Sequence, residues 1–339
     1  MSDLREHEPK GPEWDRLATL NQAGPEDPDL EIEKAAKAIY LRRFGEFKHA
    51  IINALPHEFA AIEVLFGPFV RQPSTDPSNS FEAAELTKET GERIKIAIAE
   101  VTGPGLTGAA ISVALCKSRL PYLHTVLLVG IAAGQPAPKD PERDVWLGDI
   151  VISKNVVQYD HISRKASGDT CRGDKLPTPS PRLLAVSNAL KAEMEKRSMA
   201  RPGAKPWPWE EIIARGILGL EGSDRPGVEA DPQFPKRKYP LDHGHRKGAT
   251  RPHLHIGTIG SANMLLRYAK FRNQLAKQHK TIAYEMEGAG VALAAQSLDL
   301  QYLIVRGICD YADAKKEDKW QRYASVAAAS VAHLILEKL

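Results

Sequence analysis

Short apolar runs recur along this chain, and each leads into a glycine- or acid-bearing turn and then a stretch of helical periodicity. Residues 49–54 lead to Pro56, a residue tolerated in a helix's first turn. Residues 94–101 alternate and are β-branched; Thr102-Gly103-Pro104-Gly105 follows, then a helix over 107–120. The run 126–129 ends in Gly130-Ile131-Ala132-Ala133-Gly134, and Leu147-Gly148-Asp149 opens another run over 150–157. The series resumes with strands over 254–259, 282–286 and 302–307, separated by helices over 262–278 and 288–297 and closed by a helix over 320–338. Continuous apolar runs suit buried parallel strands, and strands alternating with helices suit crossover connections. The pattern predicts an α/β fold: a single three-layer αβα domain around a mixed, largely parallel, twisted sheet.

Two segments fall outside this rhythm. Residues 1–47 form an N-terminal extension, a proline-punctuated polar tail and an amphipathic helix over 30–44 with Ile32, Ala35, Ala36, Ile39 and Tyr40 at helical spacing. The domain proper is 48–339, with an insertion at about 162–250 rich in Pro, Gly and basic residues. The insertion is expected to hold two helices, over 181–195 and 209–218. Residues 71–91 are rich in Pro, Ser, Asn and Thr and are read as loop.

Composition excludes several classes. A net charge of +3 is too small to argue for nucleic acid. Cys116, Cys171 and Cys309 fit neither a disulfide framework nor a metal-ligand spacing, which points to a reducing cytoplasm and no metal. Residues 1–10 are charged without an apolar core, unlike a signal peptide. Nothing approaches the roughly 20 apolar residues of a membrane span, so no membrane partner is expected.

The chemistry gathers where strands end, the place where open α/β sheets bind ligands. Tyr284-Glu285-Met286-Glu287-Gly288 opens one helix, and Val305-Arg306-Gly307-Ile308-Cys309-Asp310 leads out of a strand. Glu287 and Asp310 suit sugar binding and proton donation. Glu58 stands in the first turn of the helix after Pro56, where a carboxylate also supports capping. Gly130, Ile131 and Ala132 are small or apolar residues at a strand end that leave room for a flat base or a sugar. The Gly103-Pro104-Gly105 run lacks the Lys-Ser/Thr of a phosphate-binding loop.

Taken in order, these segments resemble the nucleoside phosphorylase and nucleosidase superfamily, specifically its methylthioadenosine/adenosylhomocysteine nucleosidase-like branch. The resemblance spans about 48–160 and 252–339. It implies that Glu58 activates water and that Asp310, protonated near neutral pH through burial, delivers a proton to the departing purine. Asp313 is the rival acid. Glu287 would accept hydrogen bonds from both ribose hydroxyls, with Glu285 beside it and Met286 packed on the sugar. The Gly257-Thr258-Ile259-Gly260-Ser261-Ala262-Asn263-Met264-Leu265 segment resembles the one that reads the purine edge. It places Met264 and Leu265 at the base, although Leu265 stands near where an aromatic residue stacks in the family. An ordinary helix start capped by Ser261 is the structural alternative. The Gln158-Tyr159-Asp160 ending is similar to that of fungal and bacterial proteins in which such domains are attached to signalling or immune modules.

The resulting expectation is a purine, chiefly adenine, nucleoside or nucleotide N-ribosyl hydrolase without cofactor, assembled as a homo-oligomer. A phosphorylase using phosphate is the alternative, separable by dependence of turnover on phosphate. A non-enzymatic nucleoside- or nucleotide-sensing module is the second, separable by absence of base release. Lys236, Arg237, Lys238, Arg246 and Lys247 in the insertion, with Arg251 just beyond it, are read either as a solvated basic loop or as contacts to a substrate phosphate.

Overall fold

The computed structural model describes residues 28–72, 81–140, 143–163, 170–171, 173–198, 207–237, 251–314 and 318–339. In chain order the elements are α1 (Pro28–Phe44), β1 (Phe47–Asn53), α2 (Pro56–Phe66), β2 (Val70–Gln72), β3 (Phe81–Thr87), β4 (Arg93–Glu100), α3 (Leu106–Arg119), β5 (Thr125–Gly134) and β6 (Ile150–Gln158). Three short strands, β7 (Ile162–Ser163), β8 (Thr170–Cys171) and β9 (Asp174–Lys175), precede α4 (Pro181–Ser198) and α5 (Pro208–Gly219). The chain closes with β10 (Leu254–Ser261), α6 (Ala269–His279), β11 (Thr281–Glu285), α7 (Gly288–Ser297), β12 (Gln301–Asp310) and α8 (Gln321–Glu337).

The main sheet runs β11-β10-β6-β12-β5-β1-β4-β3-β2. Its spine is parallel: β10–β6, β12–β5, β5–β1 and β1–β4. Antiparallel pairings join β12 to β6 and β11 to β5, so five strands close on themselves at one end of the sheet. Alternate residues of β12 face opposite ways. Ile304 packs beneath Gly288 of α7, and Gly307 sits directly under the backbone of Ala324 in α8. Helices therefore cover both faces, in keeping with the near-continuous apolar runs of the central strands.

Two expectations need correction. Residues 81–87 are strand, not loop: Phe81, Ala84 and Leu86 are buried, and β3 pairs antiparallel with β4. The Pro- and Ser-rich residues 73–80 dominate that composition and lie outside the described residues. The helix expected over 262–278 begins only at Ala269, because Asn263 serves the neighbouring α3 instead and Ser261 Oγ accepts from Ala289 N at 2.9 Å rather than capping. The two helices expected in the insertion, over 181–195 and 209–218, are α4 and α5. Leu183 and Leu190 of α4 and Trp209 of α5 are buried in the main core. Among the described residues no helix is long and apolar enough to cross a membrane.

Candidate active site

A cavity of about 240 Å³ opens at the carboxyl ends of the strands. Its lining includes Glu58, Ile131, Ala132, Met264, Leu265, Glu285, Met286, Glu287 and Asp310, so the expected residues meet there although they are scattered over some 250 positions of the sequence. Gly130 is not part of the lining.

Glu58 is both the helix cap and a site residue. Its Oε2 accepts from Ala54 N at 2.8 Å and Leu55 N at 2.9 Å, and its Oε1 accepts from Ile131 N at 2.7 Å. The first two bonds follow from its place three residues into α2. The third pins the carboxylate to the end of β5, 98% buried and facing the cavity.

Arg306 holds the site together. It is 1% exposed, with Nη2 2.5 Å from Glu285 and 3.2 Å from Glu287, and Nη1 3.8 Å from Glu58. Burial works against its charge, but Glu285, Glu287 and Glu58 outweigh burial and hold the guanidinium above its ordinary value. Sequence reasoning passed over this residue. A lone arginine inside the apolar run of β12 was the available signal, since arginine is almost never fully buried without partners. Gly130 finds its purpose here. A Cβ at that position would lie 2.2 Å from Glu58 Oε1 and 2.5 Å from Arg306 Nη1, so Gly130 makes room for this ion pair rather than for a ligand.

Glu285 lines the cavity, but its oxygens accept from Glu287 N at 3.0 Å and Gly288 N at 2.8 Å and pair with Arg306. Its carboxylate frames the start of α7, leaving Glu287 as the acceptor turned toward the cavity. Glu287 Oε1 accepts from Gly105 N at 3.2 Å. Burial pushes its carboxyl up to about 7; Arg306 pulls the other way, and Glu285 and Glu58 add to the rise.

The start of α3 is filled from within. Gly105 N donates to Glu287 and Leu106 N donates to Asn263 Oδ1 at 2.9 Å. Gly105 has φ 89°, and a Cβ there would meet Asn263 Oδ1 at 2.5 Å, which explains the second glycine of the Gly-Pro-Gly run. A free helix start attracts anions; here Gly105 N and Leu106 N already have acceptors.

Asp310 ends β12 and faces the cavity half-buried. The pairing of β12 with β5 slips between Ile308 and Asp310, where two residues oppose one step of β5. Such a bulge re-aims a side chain. Asp310 Oδ1 accepts from Ala312 N at 2.8 Å, and Cys309 Sγ lies 3.6 Å from Oδ2. Asp313 is absent from the lining. Leu265 is 52% exposed at the mouth, while the buried rings of Tyr159 and Tyr284 form part of the wall.

Among the described residues, no basic residue of the insertion lines this cavity. Arg237 is fully buried, paired with Asp144 at 2.8 Å and Asp231 at 3.0 Å, and the phosphate reading is corrected for it. Arg251 pairs with Glu210 on α5 at 3.2 Å. Lys236 is exposed and outside the lining. Lys238, Arg246 and Lys247 lie outside the described residues. The Leu147-Gly148-Asp149 element is framework: Asp149 accepts from Trp146 N at 2.8 Å and His253 N at 2.9 Å, and lies 2.9 Å from His255 Nε2. Among the described residues no cluster of His, Cys, Asp and Glu is arranged to hold a metal ion.

Residues 210–337 match the model of the phosphorylase superfamily. These residues resemble a phosphorylase superfamily domain. Among relatives, a nucleotide-binding leucine-rich repeat (NLR)-like protein of the fungus Hyaloscypha variabilis is 29% identical over 86% of this chain and 29% of its own length. A 5'-methylthioadenosine/S-adenosylhomocysteine nucleosidase of Mycobacterium bovis is 26% identical over 85% of this chain and 95% of its own. The ATP nucleosidase Cap17 of Escherichia coli is 27% identical over 83% of this chain and 49% of its own. The chain thus spans less than a third of its fungal relative and about half of the ATP nucleosidase. Its fold is shared by a crystal structure of a 5'-methylthioadenosine/S-adenosylhomocysteine nucleosidase from Francisella philomiragia, at TM-score 0.57 and 16% identity, covering 86% of this chain and 99% of that one.

Proposed function

We propose that this chain is an N-ribosyl hydrolase that releases adenine from a nucleoside or nucleotide. One observation carries the reading. Glu58, Glu287 and Asp310 line a single cavity, while the adjacent helix start that would suit a phosphate nucleophile is filled by Glu287 and Asn263. The names of the mycobacterial and Escherichia coli relatives, both nucleosidases, support the same class.

The chemistry divides among the carboxyl groups. Asp310 gives its proton to N7 of the purine as the bond from C1′ to N9 breaks, leaving an oxocarbenium-like sugar. Glu287 accepts from the ribose hydroxyls, and Met286 packs on the ring. Water on the opposite face adds to C1′ and passes its proton to Glu58. The products are the free base and the free sugar. Arg306 keeps Glu58 and Glu287 apart in charge and fixed in place.

A phosphate dianion needs a cluster of arginines or open backbone donors. Arg306 is already shared among Glu58, Glu285 and Glu287, which favours water. The substrate's 5′ group is tested directly by assaying adenine release from adenosine, methylthioadenosine, adenosylhomocysteine, AMP and ATP. Release from at least one supports the hydrolase; release from none removes it in favour of a sensing module.

A further inference from the structure

Next to Asp310, a buried network ties the acid's turn to the insertion. Tyr311 points away from the cavity, and its hydroxyl donates to Asp231 Oδ2 at 2.8 Å and accepts from Arg237 Nη2 at 3.1 Å and Leu147 N at 3.2 Å. Arg237 Nε donates to Asp144 Oδ2 at 2.8 Å and Nη1 to Asp231 Oδ2 at 3.0 Å. Its guanidinium lies 4.0 Å from the centre of the Trp146 ring, within the range of a favourable cation–π contact, and Trp146 Nε1 donates to the same Asp144. Arg237 and Asp231 come from the insertion, Asp144 and Trp146 from the loop before β6, and Tyr311 from the end of β12. None of this touches the cavity.

The turn that this network grips is itself strained. Asp310 is aimed by the slip in β12, and Ala312 adopts φ 49°, a left-handed conformation costly for a residue with a side chain. Such conformations persist only where the surroundings over-determine them. Tyr311 lies between the two irregular points. Its ring is held by the Arg237 network on one side, and its carbonyl accepts from Arg272 Nη1 on the other.

We propose that the insertion segment 228–237 is a strut for the acid turn, with Arg237 the positioning residue that acts on Asp310 through Tyr311. This rests on the reading of Asp310 as the acid. It assigns the insertion a part in turnover that involves no contact with substrate. The arrangement also accounts for a basic residue buried where a solvated loop or a phosphate clamp was expected.

The test uses the full chain with Tyr311→Phe, which removes one hydroxyl, and Arg237→Met, which removes the hub. Hydrogen exchange is read over residues 309–313, and kcat and KM for adenine release are measured in wild-type and Asp310→Asn backgrounds. The strut predicts that both variants lose protection at 310–312 by about tenfold or more while the remainder of β12 keeps its own. It predicts a fall in kcat of about tenfold with KM within about twofold, the signature of a lost transition-state interaction. In the Asp310→Asn background neither substitution should cost anything further, because residues acting through one group are non-additive. Unchanged exchange at 310–312, or an equal loss of kcat with and without Asp310, overturns the strut. If Arg237→Met does not fold, Tyr311→Phe alone decides. If the wild type releases no base, the functional reading falls, while the exchange measurement still decides whether 228–237 holds the turn.

Discussion

Asp310 and Glu287 were picked out by their place in the family's motifs, since either one taken alone reads as a capping or solvated carboxylate, and Glu58 looked equally like a cap. The structure gives Glu58 both roles, since the bonds that cap α2 leave it facing the cavity. Asp310→Asn should fold normally and lose about 10²–10⁴-fold in base release, the usual worth of general acid catalysis. Near-wild-type turnover would promote Asp313 to the acid. Glu287 allows a test by pH. Its carboxyl is raised from 4.5 to about 7, so its contribution to stability is present below about pH 4.5 and is lost as pH rises through about 7. Sugar binding runs the other way, because the ionised carboxylate accepts from both hydroxyls. Binding of a ribonucleoside to the Asp310→Asn variant should therefore tighten as pH rises through 7, by at most about tenfold per unit for a single proton. Glu287→Gln should flatten that slope and weaken ribonucleosides more than 2′-deoxynucleosides; a slope kept in Glu287→Gln would assign it to another group. Arg306 was not legible in this way. A charge inside β12 becomes intelligible only once three carboxylates from β1–α2 and β11–α7 are seen to converge on it.

At the level of elements, the apolar runs located every strand of the parallel spine, because burial on both faces demands continuous hydrophobicity. The pattern failed where one face is solvated or where side chains are recruited from afar. Phe81, Ala84 and Leu86 alternate with polar residues and were absorbed into a loop composition set by their neighbours. The late start of α6 depends on Asn263 bonding Leu106, more than 150 residues earlier, which no local pattern can reveal. Helix α8 presses so closely on β12 that a Cβ on Gly307 would sit 1.9 Å from the Ala324 carbonyl oxygen. Both partners of that contact are backbone, so neither can swing aside. Gly307→Ala should destabilise by about 1–3 kcal/mol or more, as overpacked cores do. Thermal unfolding of the variant checks this, and an unchanged midpoint would mean that α8 shifts freely on the sheet.

For the whole molecule, the insertion was the segment that sequence described least well. Its basic composition suggested a surface role, yet α4 and α5 bury apolar side chains in the core and Arg237 is buried beside the acid turn. Its partner Asp144 lies 93 residues earlier in the sequence, too far away to have been anticipated. On the neighbouring helices α3 and α7, the large apolar side chains Ile111 and Leu293 are 45% and 43% exposed. Such a paired surface is suited to an isologous contact. Light scattering should give a dimer at micromolar concentration, and Leu293→Glu should shift it toward monomer; a monomer mass in an active wild-type sample would refute the assembly. The central claim is that water, not phosphate, takes the sugar from the base. The most direct measurement follows turnover of the best adenine substrate in phosphate-free buffer and again with added phosphate, identifying the sugar product each time. Hydrolysis predicts equal rates and a free reducing sugar in both. Turnover that requires phosphate, with the sugar recovered as its 1-phosphate, would contradict it.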